Sequence, residues 1–305
     1  MLLQGGAHVV VYDVNVDLPE SQALAELHGG AVSLVSGNVL DFDGLSDLMR
    51  DHRIDVVVHL AYVLAGAAAA NPRLGTEVNL VGTSNVFEAA VTNGVQRVVY
   101  ASSISVYGDD ARYEPEDLPL HEGAPMLVAD GVRLYGASKV YVEALAHTYS
   151  LASETTFVAL RPSIVYGGTR QSGSVDWISQ AVRSAAAGQP VTLARGGAAV
   201  SLVHVDDVAA QFAALASCDQ QALDGRTTFN SGGDTCTIDE FAEVIGQAFP
   251  SVRIDIDPGE SRSLLGLAAS VDGSAIDHLM GRTRVYSPLP NGLAKFVADL
   301  SQVQA

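Results

Sequence analysis

A doubly wound parallel α/β sheet with a smaller second α/β lobe is predicted from three observations. Short β-branched apolar runs recur at residues 7–13, 55–61 and 157–162, and they read as buried strands of a parallel sheet. Helical stretches separate them, the alternation that crossover-connected strands require. The run Val99-Tyr100-Ala101-Ser102-Ser103-Ile104-Ser105-Val106-Tyr107-Gly108 ends in small hydroxyl residues, at the strand end where open α/β sheets hold ligands.

Taken in order, residues 7–13 form a strand too short and too rich in valine for a helix, closing on Asp13. Leu18 to His28 reads as a helix and Ala31 to Ser36 as a strand, followed by Gly37-Asn38-Val39-Leu40-Asp41. Residues 42–52 make the next helix, and 55–61 the next strand. His59, at its end, reads as a core residue rather than a catalyst. Asn71-Pro72 opens a helix running to about Asn93, its apolar positions falling at Leu74, Val78, Val81, Val86 and Ala89. Asp109 to Asp130 is rich in proline and acid without a clean period, so it is expected to be a loop beside the site. A helix from Leu134 to about Leu151, the strand Phe157–Pro162 and a helix from Val175 to Ala187 follow. Beyond them the alternation breaks into short strands near 191–193, 200–205 and 227–230, with helices near 206–216 and 238–249.

The chain has 305 residues, enough for a large core in one domain or two merged lobes. An apolar content of 48% and a mean hydropathy of +0.22 argue for a compact globule. No run of about 18 apolar residues and no basic-then-apolar amino terminus is present, so neither a membrane span nor a signal peptide is expected and the cytoplasm is the default. The formal charge of −18 disfavours nucleic acid and anionic membranes as partners. It still permits a phosphate ligand held locally by arginines or helix amino termini. Cys218 and Cys236 lack metal-ligand spacing and read as ordinary thiols.

The chemistry centres on Tyr135-Gly136-Ala137-Ser138-Lys139. A tyrosine and a lysine four apart share one helix face, so the ammonium can sit beside the phenol and lower its pKa from about 10 toward a usable general base. With 10 tyrosines and only Lys139 and Lys295 as lysines, chance alone supplies about 0.07 such spacings.

The Ser102-Ser103 strand end, Tyr-Gly-Ala-Ser-Lys at 135–139, Leu160-Arg161-Pro162-Ser163-Ile164-Val165-Tyr166-Gly167 and Val203-His204-Val205-Asp206-Asp207-Val208-Ala209 occur in a telling order. Together they resemble the extended short-chain dehydrogenase/reductases, the NAD-dependent epimerase/dehydratase family, from about residue 7 to the carboxyl terminus. The resemblance implies a Rossmann-like NAD-binding domain over residues 1–165 and, interleaved with its sheet, a mainly substrate-binding lobe over 166–305. It implies Tyr135 as general base, Ser103 as hydrogen-bond donor to the same substrate oxygen, and Lys139 as the group that lowers the tyrosine pKa and holds the nicotinamide ribose.

For the cofactor it implies Asp13 on the adenosine ribose, which favours NAD over NADP, although the residues alone leave a turn or helix cap open. Asn38 and Val39 fall at the adenine edge, and Leu60, Ala61 and Tyr62 in the turn lining the cofactor. Tyr62 replaces a residue that is small in the family, which narrows the site. Asn79 matches an asparagine that supports the active-site water network, with a solvent-facing role as the alternative. Pro162 and Ile164 would meet the nicotinamide carboxamide side through their backbone.

Met1 to Gly6 resembles only the last turn of the helix that follows the family's glycine loop, and no Gly-x-x-Gly-x-x-Gly turn is found. The expectation is a start assigned too late or a truncated product, with the first strand and the pyrophosphate cradle missing and NAD bound poorly by the chain as given. The substrate is expected to be a sugar, sugar acid or nucleotide sugar. An arginine that binds diphosphate in the family's nucleotide-sugar epimerases is replaced by Val200, which shifts weight to a substrate without diphosphate unless Arg195, Arg170 or Arg262 compensates. The family's arrangement implies a homodimer built on the helices around 72–93 and 134–151. The rival reading is a catalytically weak NAD-sensing or scaffold protein on the same fold.

Overall fold

The computed structural model describes residues 1–128, 133–168, 176–257 and 266–303. After a short 3₁₀ turn at Leu3–Gly5, strand β1 (Val9–Asp13) leads through helix α1 (Pro19–His28) to β2 (Val32–Ser36), and the two strands pair in parallel with Val9 opposite Val32. Helix α2 (Phe42–Asp51) starts at Asp41, whose carboxylate accepts from the Gly44 amide at 3.0 Å, a cap of the kind that stabilises a helix by about 1 kcal/mol. It returns the chain to β3 (Val56–His59).

The single helix expected over 72–93 is helical throughout, with a π segment inside it. Asn71 caps α4 (Pro72–Thr76), which follows the short α3 (Ala65–Ala70); residues 77–82 form a π-helix, and α5 is Thr83–Thr92. A π turn inserts one residue into the helical ladder, a shift of register that a single turn of sequence is too short to reveal. The strand expected to run into the hydroxyl residues ends just before them: β4 is Arg97–Ala101, and Ile104–Val106 is a 3₁₀ turn.

Helix α6 (Arg133–Ala152) leads to β5 (Thr156–Arg161), and β6 (Ile164–Tyr166) follows directly. Next come α7 (Trp177–Ala186), β7 (Val191–Ala194), β8 (Ala199–His204), α8 (Val205–Ser217) and β9 (Thr228–Asn230). The remainder is β10 (Asp234–Thr237), α9 (Ile238–Ala248) with a Thr237/Glu240 capping box, β11 (Ile254–Asp257), α10 (Ser274–Met280) and α11 (Leu289–Val303). Strands β6, β10 and β11 were not anticipated; each has only three or four residues, too few to show a period. The start expected for α7 at Val175, together with Arg170 and Arg262, lies outside the described residues.

Four parallel strands form the principal sheet in the order β3-β4-β5-β9. Strands β1 and β2 form a separate ladder, and among the described residues nothing pairs with the remaining edges of β1 and β3. Tyr12 of β1 and Val57 of β3 nevertheless pack against the same apolar cluster, built on Leu45, Val86, Phe87, Tyr100 and Phe157. The two ladders thus share a core face without sharing hydrogen bonds. The opposite face of β4 and β5 packs on α8 and α10 through Val99, Val158, Leu160, Val208, Phe212 and Ile276. The second lobe contains β6-β8-β10 and β11-β7 around a third cluster. No helix among the described residues is long and apolar enough to cross a membrane.

Candidate active site

Helix α6 carries Tyr135 and Lys139 one turn apart near its start, Tyr135 half-buried and Lys139 only 1% exposed. Gly136 explains how they come close to the sheet. A Cβ at that position would lie 2.8 Å from the Ser105 carbonyl oxygen and 2.7 Å from Val128 Cγ1, so glycine lets the first turn of α6 press on the 103–106 turn. Ser103 opens that turn, its Oγ accepting the Ser105 amide at 3.1 Å, and it is half-buried.

The two serines at the end of β4 have separate duties. Ser102 is buried and donates its hydroxyl to the Glu143 carboxylate. Glu143 also receives Arg161 Nε at 2.8 Å and Nη2 at 2.6 Å, a buried two-pronged ion pair between α6 and β5. Arg161 continues through Nη1 to the Tyr107 hydroxyl at 2.6 Å, and Tyr107 to Asn230 Oδ1 at 2.8 Å. This network was not read from the sequence, though the signal was present: Glu143 is four residues after Lys139 and therefore on the same helix face. The network fixes α6 against the carboxyl ends of β4, β5 and β9.

Lys139 Nζ donates to the Ala101 carbonyl at 2.7 Å, lies 3.1 Å from the centre of the Tyr62 ring and 5.3 Å from that of Tyr135. Burial holds this amine well below the ordinary lysine range, with Glu143 pulling the other way. Tyr62 meets the Tyr135 ring edge-on at 5.6 Å and donates its hydroxyl to Ser138 Oγ at 2.7 Å; burial pushes its phenol pKa up. Ser138 in turn donates to the Tyr135 carbonyl at 2.7 Å.

Asn79, within the π-helix, is 2% exposed and uses its amide on one neighbour: Oδ1 accepts the Val63 amide at 2.7 Å and Nδ2 donates to the Val63 carbonyl at 3.0 Å. It therefore pins the loop that carries Tyr62. His59 is a buried core residue, 2.9 Å from Thr83 Oγ1, and burial followed by the nearby Lys139 charge lowers its pKa to about 3.

Asp13, Asn38, Val39, Leu60 and Ala61 lie at the carboxyl ends of β1, β2 and β3, whereas Pro162 follows β5 and Ile164 lies in β6. Asp13 is exposed; its Oδ1 accepts the Asn15 amide at 3.0 Å, so it does cap a turn while keeping acceptor capacity. Asn38 uses Oδ1 on the Leu40 amide, and the Val39 carbonyl accepts Asn85 Nδ2. Leu60 is 56% exposed at the end of β3, with Ala61 half-buried after it. The Pro162 carbonyl accepts the Ile104 amide, and Ile164 is buried in β6 opposite Leu202. Asp13, Tyr135 and Lys139 carry groups of the kind that hydrogen-bond ribose hydroxyls. Among the described residues, these positions include no glycine-rich phosphate cradle.

Two other features lie apart from this group. A cavity of about 820 Å³ is bordered by His121, Arg226, Phe229 and His278 and includes none of Ser103, Tyr135 or Lys139. His204, Asp206 and Asp299 converge in the second lobe, but Lys295 bonds Asp299 and lies 3.4 Å from Asp206, so that cluster already holds a cation.

Residues 1–232 match the model of the NAD dependent epimerase/dehydratase family. A UDP-glucose 4-epimerase of Yersinia enterocolitica is 31% identical over 164 residues, 52% of this chain and 47% of that protein. Among solved structures, the NAD complex of Thermus thermophilus UDP-glucose 4-epimerase superposes with a TM-score of 0.81 at 24% identity, covering 98% of this chain and 93% of that one. MoeE5, solved with UDP-glucuronic acid and NAD, gives 0.80 at 25% identity over 99% and 93%. The chain belongs to the NAD-dependent epimerase/dehydratase family, whose cofactor is NAD.

Proposed function

We propose that the chain catalyses NAD-dependent hydride transfer at a secondary alcohol of a sugar-like substrate. The observation that carries this reading is the packing of Gly136 on Ser105, which sets Tyr135 and Lys139 beside the turn opened by Ser103. Tyr135 takes the proton of the substrate hydroxyl as general base and returns it in the reverse direction. Ser103 donates to the same oxygen and stabilises charge developing there. Lys139 favours the phenolate of Tyr135 and binds a ribose hydroxyl. NAD, when bound, accepts the hydride from the carbinol carbon and can give it back.

Asp13 holds the adenosine ribose and repels a 2′-phosphate, so NAD is preferred over NADP. Asn38, Val39, Leu60 and Ala61 border the adenosine side, and Pro162 and Ile164 the nicotinamide side. Residues 1–165 supply the cofactor side and residues 166–305 mainly the substrate side. Val200 is 2% exposed inside the second lobe and gives a diphosphate no cation, while Arg195 sits exposed in the turn after β7. These two positions favour a sugar or sugar acid over a nucleotide sugar. A homodimer through α4, the π-helix and α6 is supported by the exposed side chains of Leu74, Val81 and Tyr141. The cytoplasm is the proposed location.

The test is turnover of NAD against a panel of free sugars, sugar acids and nucleotide sugars, with Ser103→Ala alongside. Reduction of NAD by a sugar or sugar acid, slowed about a hundredfold in Ser103→Ala, is expected. Turnover confined to nucleotide sugars contradicts the substrate assignment, and no turnover across the panel contradicts the function.

A further inference from the structure

The contacts of Lys139 leave a puzzle within the proposed site. A lysine that binds a ligand hydroxyl must present its amine, yet Lys139 is 1% exposed and its Nζ is already held by the Ala101 carbonyl at 2.7 Å. What covers it is the face of Tyr62, whose ring centre is 3.1 Å from Nζ. An aromatic face attracts an ammonium and shields it from water.

Tyr62 is itself held on three sides. Its hydroxyl donates to Ser138 Oγ, its ring meets the Tyr135 ring edge-on, and the next residue, Val63, has both backbone groups bonded to Asn79. The backbone is thus anchored just beyond the ring, and rotation about the Tyr62 side-chain torsions is the motion left to it. That rotation breaks one neutral hydrogen bond, one cation–π contact and the edge-on contact with Tyr135, and the first two are replaceable by a polar ligand.

We propose that Tyr62 is a positioning residue that closes over the Lys139 amine and must turn aside before a ligand hydroxyl can bond it. The closed form keeps the amine in place between the Ala101 carbonyl and the ring. The open form exposes it beside Tyr135. The proposal deepens the functional reading above by naming what gates Lys139, and it rests on that reading only for the identity of the ligand.

Two lysines make the test clean. Lys295 has a side chain 32% exposed and serves as an internal reference in every sample. The full chain is treated with N-hydroxysuccinimidyl acetate, and acetylation of each lysine is followed by peptide mass spectrometry. Lys139 should react about twentyfold more slowly than Lys295 in the unaltered protein, about tenfold faster in Tyr62→Ala, and near the unaltered rate in Tyr62→Phe, which keeps the ring. Equal rates for Lys139 in the unaltered protein and Tyr62→Ala overturn the proposal. A rise at both lysines reports unfolding, and Tyr62→Asn is then judged by the same criterion.

Calorimetric titration with NAD supplies the second arm. Tyr62→Ala should bind about fivefold more tightly, because the ring no longer competes for Lys139. Measurable but equal affinities overturn the gating role. A change in labelling without NAD binding to either form supports the lid and contradicts the cofactor reading.

Discussion

The β1–β2 ladder and the inner strands β4 and β5 of the principal sheet are built from the same kinds of residue and differ sharply in burial. Val98 and Val99 of β4 and Val158, Ala159 and Leu160 of β5 are all 0% exposed, whereas Val9, Val10, Val11 and Tyr12 of β1 are only half-buried. Composition does not separate them. Neighbours do: β4 and β5 have a strand on either side and helices on both faces, while β1 has one hydrogen-bonded neighbour among the described residues. An apolar strand buries its side chains only as far as the layers around it close. The proposed catalytic group hangs entirely on the closed half, through α6, the ends of β4 and β5, and the Glu143–Arg161 pair. The proposed adenosine contacts, Asp13, Asn38 and Val39, hang on the open half.

The largest effect should come from the tie between helix and sheet. Glu143→Gln leaves the Arg161 charge buried without its partner, and a loss of about 3–5 kcal/mol in urea unfolding is expected. A loss below about 1 kcal/mol would mean that the pair does not hold α6.

Next, the halves should differ in their tolerance of truncation. Leu160→Ala should cost about 3 kcal/mol and Val11→Ala about 1 kcal/mol or less, since a half-buried site loses less contact and can collapse. Comparable losses would abolish the distinction between the two ladders.

His59, at the end of β3, gives an effect of about 2 kcal/mol that depends on pH. Its folded pKa, about 3, lies below the value of 6.5 taken for the unfolded chain. Between these two values the unfolded chain binds the proton and the folded one does not, so stability is full above about pH 6.5 and falls as pH drops toward 3. At pH 5 the loss should be about 2 kcal/mol, and His59→Leu should remove that part of the slope. An unchanged slope would show that His59 is accessible to protons in the folded state.

The smallest effect belongs to the open half. Asp13→Ala should narrow the preference for NAD over NADP by about tenfold, measured as the ratio of calorimetric affinities. A preference that survives intact would remove Asp13 from the cofactor site.

Much of the principal sheet was legible because its strands are continuous apolar runs and its helices carry a period. The Tyr135/Lys139 pair was legible because helix spacing alone sets both side chains on one face. The π segment inside the 72–93 helix was not, since a π turn shifts register without changing composition. Helix α3 escaped notice because Ala65 to Ala70 is alanine and glycine throughout, with no polar face to alternate. Choosing Ser103 over Ser102 rested on resemblance, and the structure adds a physical reason: the Ser102 hydroxyl is committed to Glu143. The covering of Lys139 by Tyr62 joins residues 77 apart in the sequence, and no local pattern encodes such a contact.

The most direct test of the account is hydride transfer by Tyr135→Phe, followed by nicotinamide absorbance at saturating NAD and substrate. The substitution removes one phenolic oxygen from the well-buried half and leaves every proposed adenosine contact in place. The rate should fall about a hundredfold or more while the NAD affinity stays within about threefold. Retention of more than about a tenth of the unaltered rate would contradict the assignment of Tyr135 as the general base.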